Sequence, residues 1–127
     1  MNDKKSLGNL GEDLACQYLI RNRFKILRRN KREKFYEIDI IAKSFDRTLV
    51  FIEVKTMRIY GELSYCLKPE DHMTKAKFNK IKNGCLMFSA KHPELVDDQK
   101  GWRIDLVAIS LDSSNSFNLS HYENILF

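Results

Sequence analysis

Two apolar stretches joined by a short polar turn, residues 36–43 and 48–56 of YEIDIIAKSFDRTLVFIEVKT, constrain this chain more than any other feature. Their runs of Ile, Val and Phe predict two neighbouring strands at the centre of a sheet. Yet the same strands carry Glu37, Asp39, Glu53 and Lys55. Burying a charge without a partner is costly, so these positions need a reason. A turn of three residues, Phe45-Asp46-Arg47, is among the common hairpin loops. It pairs Lys43 with Leu49, Ile41 with Phe51, Asp39 with Glu53 and Glu37 with Lys55. Strand alternation then puts Glu37, Asp39, Ile41, Phe51, Glu53 and Lys55 on one face, with Ile38, Ile40, Ala42, Ile52 and Val54 on the other. A register slipped by one residue would mix acids into both faces.

The rest of the chain supplies the layers around this hairpin. From Ser6 to about Asn22, Leu7, Leu10, Leu14 and Tyr18 recur at helical spacing, with Ser6 as a candidate N-cap. A short strand is expected over about 24–29, and a second helix over about 73–90. Met73, Ala76, Lys77, Lys80, Ile81, Gly84, Cys85 and Phe88 form the stripe of that second helix, which Pro93 ends. Between hairpin and helix, residues 57–72 contain Gly61 and Pro69 and match no regular element; connections this long tend to be functional or mobile. Residues 102–111 form a further strand and 117–126 a weak edge strand. The order α-β-β-β-α-β-β predicts an α/β fold, a mixed sheet flanked by helices, and 127 residues suit a single domain over 1–127.

Charge narrows the partners. Residues 21–34, RNRFKILRRNKREK, hold eight basic residues against Glu33 alone; that segment is +7, so with a chain total of +5 the remainder carries −2. A local basic run on a near-neutral body points to a polyanion, with Arg28, Arg29, Lys31 and Arg32 as candidate phosphate contacts. Arg58, Tyr60 and Lys68 in the long connection are placed to close over such a partner. No apolar run approaches the ~20 residues of a membrane helix, and Gly8, Asn9 and Glu12 stand where a secretory leader would be apolar. Cys16, Cys66 and Cys85 are odd in number and far apart, which suits reduced thiols in the cytoplasm and neither a disulfide framework nor a zinc site. His72, His92 and His121 are equally scattered and suit surface or packing roles.

The opposed acids are the chemical signal. Two carboxylates facing each other across a hairpin repel, and a hard divalent ion such as Mg²⁺, or Mn²⁺, relieves that repulsion while leaving room for substrate phosphate. On this account Asp39 and Glu53 are part of a metal site, and Lys55, on the same face and protonated at neutral pH, holds the attacking water and stabilises charge on phosphorus oxygens. Spacing alone leaves an ordinary ion pair on an exposed sheet face open as well. Glu12 lies among Gly8, Gly11 and Ala15, where small side chains let a helix approach a sheet; a solvated helix carboxylate fits it as well.

The stretches GNLGEDLACQYLIRNRFKILRRN, EIDIIA, LVFIEVKTMRIYGE and RIDLVAI together resemble the YraN-like uncharacterised bacterial protein family over most of the chain. The Asp…Glu-x-Lys core is similar to that of the restriction-endonuclease-like (PD-(D/E)xK) nuclease superfamily, which includes archaeal Holliday-junction resolvases. The resemblance implies a mixed sheet of four or five strands flanked by helices. It implies Glu12, Asp39 and Glu53 as metal ligands and, with Lys55, as the catalytic set. Glu37 matches the family's Glu before Ile-Asp in a supporting role, and Lys77, with Lys75 as the less close fit, matches its helix lysine. Tyr36 stands where the family usually has Gly, a change expected to narrow access to the site, and Ile38 replaces the superfamily's Pro. The expected function is a Mg²⁺- or Mn²⁺-dependent endonuclease acting on DNA, branched or structured DNA included. The alternative is a silent nucleic-acid-binding or protein-interaction module on the same fold. Either leaves a homodimer open and needs no membrane.

Overall fold

The computed structural model describes residues 3–59, 73–114 and 116–126. Helix α1 (Asp3–Arg21) is followed by strands β1 (Lys25–Arg32), β2 (Glu37–Lys43) and β3 (Leu49–Arg58). Helix α2 (Lys75–Lys91), a short 3-10 turn (Pro93–Leu95) and strands β4 (Trp102–Leu111) and β5 (Phe117–Tyr122) complete the order. The five strands form one sheet in the order β1-β2-β3-β4-β5. Only β3 and β4 run parallel, and α2 lies in the connection between them; the other neighbours are antiparallel. This is the mixed, helix-flanked α/β sheet of the restriction-endonuclease-like type. Among the described residues no helix is long and apolar enough to cross a membrane.

Each helix covers one face, as strand alternation requires. Ala15, Cys16 and Leu19 of α1 pack on Ile40, Ala42, Val50, Ile52, Val107 and Ile109. Phe78, Cys85 and Phe88 of α2 pack on Ile41, Leu49, Phe51, Ile104 and Leu106. Two glycines set how close the helices come. A Cβ on Gly11 would collide with Thr56 Oγ1 of β3, and one on Gly84 would lie 2.6 Å from Tyr36 Cβ. Gly8, by contrast, faces open space. Helix α1 begins at Asp3, so Ser6 lies inside it and is not its N-cap. It ends with Arg23 at φ 67° and Phe24 N–H donating to Leu19 O at 2.9 Å, the geometry of a left-handed helix stop. Thr74 caps α2, its hydroxyl accepting from Lys77 N–H.

The hairpin register follows the expected turn as far as Ile40. Lys43 pairs with Leu49, Ile41 with Phe51 and Ile40 with Ile52. Arg47 takes φ 73°, the left-handed third position of a three-residue loop. The carboxylate of Asp46 accepts from Ser44 Oγ, from Thr48 N–H and from the Thr48 hydroxyl, which holds it well below the usual carboxylate range. The backbone pairs Asp39–Glu53 and Glu37–Lys55 do not form: the β2–β3 ladder ends at Ile40–Ile52. Ile38, expected beside Ile40, packs instead in the α2-side core with Tyr36. Once the ladder stops, alternation relative to β3 no longer fixes a side chain's face.

One fully buried charge interrupts the α1-side core. Asp105 of β4 accepts from Arg103 Nε at 2.9 Å and Nη2 at 3.2 Å, and from Asn124 N–H at 2.9 Å. It also lies 2.8 Å from His121 Nε2, whose Nδ1 meets the Tyr18 hydroxyl at 2.9 Å. His121 thus ties β5 and α1 to the central sheet, a packing role as its isolation in sequence suggested.

Candidate metal centre and nucleic-acid interface

The point where β2 and β3 part is where the acids gather. Beyond Ile40–Ile52, Asp39 Oδ2 accepts the Val54 N–H at 2.9 Å, so a side chain takes the place of a ladder carbonyl. Glu53, one residue before Val54, hydrogen-bonds Asp39 side chain to side chain. Lys55 Nζ lies 3.6 Å from Glu53 Oε1, and the two side chains keep 29% and 16% of their surface exposed. The two acids therefore meet by side chain at a fork in the sheet.

Their electrostatics follow from burial. Desolvation, then the charge of Asp39, push the Glu53 carboxyl above its ordinary value, against the pull of Lys55. Desolvation raises Asp39 too, opposed by the Val54 N–H and the Glu53 bond. Two carboxylates so close and so poorly hydrated cannot both ionise cheaply, because the charge on one opposes ionisation of the other. A divalent cation between them would offset both charges.

Glu12 approaches from α1, held there by the Gly11 contact on β3. Desolvation, then the nearby Asp39, raise its carboxyl, while Arg29 and a hydrogen bond from Asn30 oppose the shift. Glu12 Oε1 is buried without a hydrogen-bond partner among the described residues. An orphaned carboxylate oxygen near two neighbouring carboxylates is a donor set suited to a hard cation. Among the described residues no three acidic, His or Cys side chains close tightly enough to enclose an ion. Asp39 and Glu53 are in contact, and Glu12 stands in their field as a nearby third group.

The pair opens onto a cleft of ≈ 260 Å³ lined by Glu37, Asp39, Glu53, Lys77, Lys80 and Ile81. Lys77 was expected here; Lys80, one turn on, was not assigned to the site from sequence. Its signal was its place in the apolar stripe of α2. Lys75 is exposed at the helix start and does not line the cleft. Glu37 does not meet Lys55 but pairs with Arg32 Nε at 3.1 Å. Tyr36 packs against Gly84 and does not line the cleft, so it does not narrow access to the acids.

The basic run is less bare than its sequence. Arg29 pairs with Asp13 at 2.7 Å and Lys31 with Glu33 at 3.0 Å, besides the Arg32–Glu37 pair. Arg28 Nη1 donates to the Leu27 carbonyl at 2.8 Å. Arg58 ends β3, half-buried, while Tyr60 and Lys68 fall outside the described residues.

Comparison with known proteins gives a consistent family. The profile of Uncharacterised protein family UPF0102 matches residues 11–109. A UPF0102 protein of Caldicellulosiruptor bescii is 40% identical over 112 residues, 88% of each chain. One from Trichlorobacter lovleyi is 32% identical over 94% of this chain and 89% of its own. One from Campylobacter lari is 39% identical over 83% and 84%, respectively.

Proposed function

This chain belongs to the uncharacterised protein family UPF0102, and from that premise and the geometry of the fork we propose that it is a Mg²⁺- or Mn²⁺-dependent endonuclease-like hydrolase acting on DNA, branched or structured DNA included. One observation carries the proposal: two half-buried carboxylates side by side, Asp39 and Glu53, both lining a lysine-walled cleft, with the Lys55 ammonium 3.6 Å from Glu53. An inert scaffold gains nothing from burying two like charges together.

Asp39 and Glu53 would hold the metal, with Glu12 Oε1 turning to it as third ligand. When bound, the cation supplies Lewis acidity and a water more easily deprotonated. Lys55 holds the attacking water and balances negative charge on the non-bridging phosphate oxygens as they gain it. The water oxygen bonds to phosphorus as one P–O ester bond breaks. The departing alkoxide takes a proton from solvent and the attacking water gives one up, so one water is consumed per cut. Lys77 and Lys80 draw the phosphodiester into the cleft. The proposed compartment is the cytoplasm, where DNA and reduced thiols coexist; Cys16 and Cys85 are buried free thiols.

A second reading has its own support. The lack of three tightly converging ligands among the described residues is what a module that binds nucleic acid without cutting it would show. The test is incubation with linear, branched and single-stranded DNA and with RNA, in Mg²⁺, Mn²⁺ or EDTA. Metal-dependent cutting is expected, reduced ~10²–10³-fold by Lys55→Met. No cutting with either metal, or Lys55→Met cutting at the wild-type rate, defeats the endonuclease reading.

A further inference from the structure

We propose that the surface beyond the carboxylates seats an unpaired nucleotide, its base stacked on the Phe35 ring and its phosphates held by Arg32, Lys34 and Lys80. The inference rests on the nucleic-acid part of the proposed function and names the substrate feature that this end of the site selects.

The cleft does not end at the acids. Glu37 and Lys80 also line a neighbouring depression of ≈ 260 Å³, walled by Arg32, Lys34, Phe35 and Tyr36. Lys34, Phe35 and Tyr36 in turn border a third, of ≈ 460 Å³, closed by Met87, Ala90 and Lys91 of α2. Shared lining residues make the three one track along the β1–β2 connection and the outer side of α2.

The chemistry of that track suits a polyanion and offers it one exposed aromatic face. Phe35 is 67% exposed, and Lys34 Nζ lies 5.4 Å from its ring centroid. In the two depressions beyond Asp39 and Glu53, Arg32, Lys34, Lys80 and Lys91 stand against Glu33 and Glu37, so cations outnumber acids there two to one. Tyr36 beneath it is only 6% exposed, and its hydroxyl is buried with no hydrogen-bond partner among the described residues. A base edge, or a water bridging to one, would satisfy that group. Cationic grooves with an open aromatic face bind single strands because every base has a face to stack. Bases inside a duplex are already stacked on their neighbours and cannot reach Phe35. The ligand is therefore a single strand, a flap or an extruded base. An apolar segment of another protein would cover Phe35 and Met87 equally well, but would not engage Lys34, Lys80 and Lys91.

The test uses metal-free protein in EDTA, so that binding is read without cutting. The probes are a short single-stranded oligodeoxynucleotide carrying 2-aminopurine, its ribonucleotide counterpart, and a blunt duplex of the same sequence. Binding to a single strand should quench 2-aminopurine. Phe35→Ala should weaken that binding about tenfold, a typical loss for one stacked base, and abolish the quench. Phe35→Trp should keep both, and affinity for the duplex should be the same in all three proteins. The two single-stranded arms report which sugar is preferred; stacking of either supports the proposal. Equal loss on single strand and duplex overturns it. So does unchanged single-strand affinity in Phe35→Ala, the outcome expected of a protein-docking surface. Phe35 touches no buried core, and matched melting temperatures confirm that the variants are folded. Cutting by the wild type with Mn²⁺ is assayed in parallel. Stacking without cutting defeats the nuclease reading alone; cutting without a Phe35 effect defeats this inference alone.

Discussion

Asp39 does three things at once: it ends the β2–β3 ladder by accepting the Val54 N–H, it bonds Glu53, and its charge raises Glu12. Asp39→Asn keeps the shape and an acceptor for Val54 while removing the charge. In EDTA the variant should melt higher, because relief at such a site is typically worth ~0.5–2 kcal/mol. Wild type should gain further stability as Mg²⁺ or Mn²⁺ is added, since a ligand of the native state shifts unfolding by mass action; the variant should gain much less. A variant that melts lower, in a protein indifferent to metal, would leave Asp39 a structural cap only. Turn length led to the neighbourhood of Asp39, Glu53 and Lys55, although the strand pairing expected between the two acids does not form and their side chains meet where the ladder ends. Lys80 was not legible in sequence, because a lysine in an apolar stripe looks like any stem lying along a core with its head in water. Glu37 was matched to Lys55 by extending a ladder that in fact stops early.

At the scale of elements, β1 is the candidate phosphate strand, and its ion pairs change what it should do. Exposed pairs such as Arg32–Glu37 are worth little, so phosphate can displace the acids, but each displaced acid reduces the net charge gained. Replacing Arg28, Arg29, Lys31 and Arg32 together by Ala should make log K against log salt shallower by about 2, fewer than the four contacts a bare strand would lose at about 0.9 each. An unchanged slope would move the duplex to α2, where Lys77→Ala with Lys80→Ala becomes the informative pair. The strands themselves were largely readable, β4 in full, because their apolar runs are bounded by turn residues; β5, expected to reach 126, stops at Tyr122. β1 runs three residues past its expected end at Arg29 since a charged edge strand lacks the alternation that marks a half-buried one.

At the scale of the whole molecule, the Asp105 network joins α1, β4 and β5. Burial would raise this carboxyl, but bonds from His121, Arg103 and Asn124 outweigh it and hold it below the usual range. Arg103, which also faces Glu123 at 3.8 Å, His121 and Tyr18 are the groups around it. An acid whose folded value is depressed stabilises fully above its unfolded value, about 3.9, and loses that contribution as pH falls through the lower folded one. Asp105→Ala leaves Arg103 without its buried partner and should cost about 3–5 kcal/mol at neutral pH. The gap from wild type should shrink only below about pH 4. Urea unfolding across pH checks both; a gap that is small, or constant into acid, removes Asp105 as the anchor. Alternation puts Asp105 on the face of Val107 and Ile109, opposite Ile104 and Leu106, but nothing local names its partners. His121 is sixteen residues on, and Tyr18 lies 103 residues from His121.

The position of β1 has one more consequence. It closes one side of the sheet, so its outer row of backbone N–H and C=O groups faces no other strand among those described. Such an edge is a template for strand addition by another chain, the first step of many aggregates. Here the strand bulges between Ile26 and Arg28, turns left-handed at Asn30 with φ 50°, and lies in a segment of net charge +7. Two copies meeting edge to edge would have to bring those charges together across one hydrogen-bonded row. A bulged, twisted and densely cationic edge is a poor template for a second copy of itself, the same device by which many sheets guard an open edge.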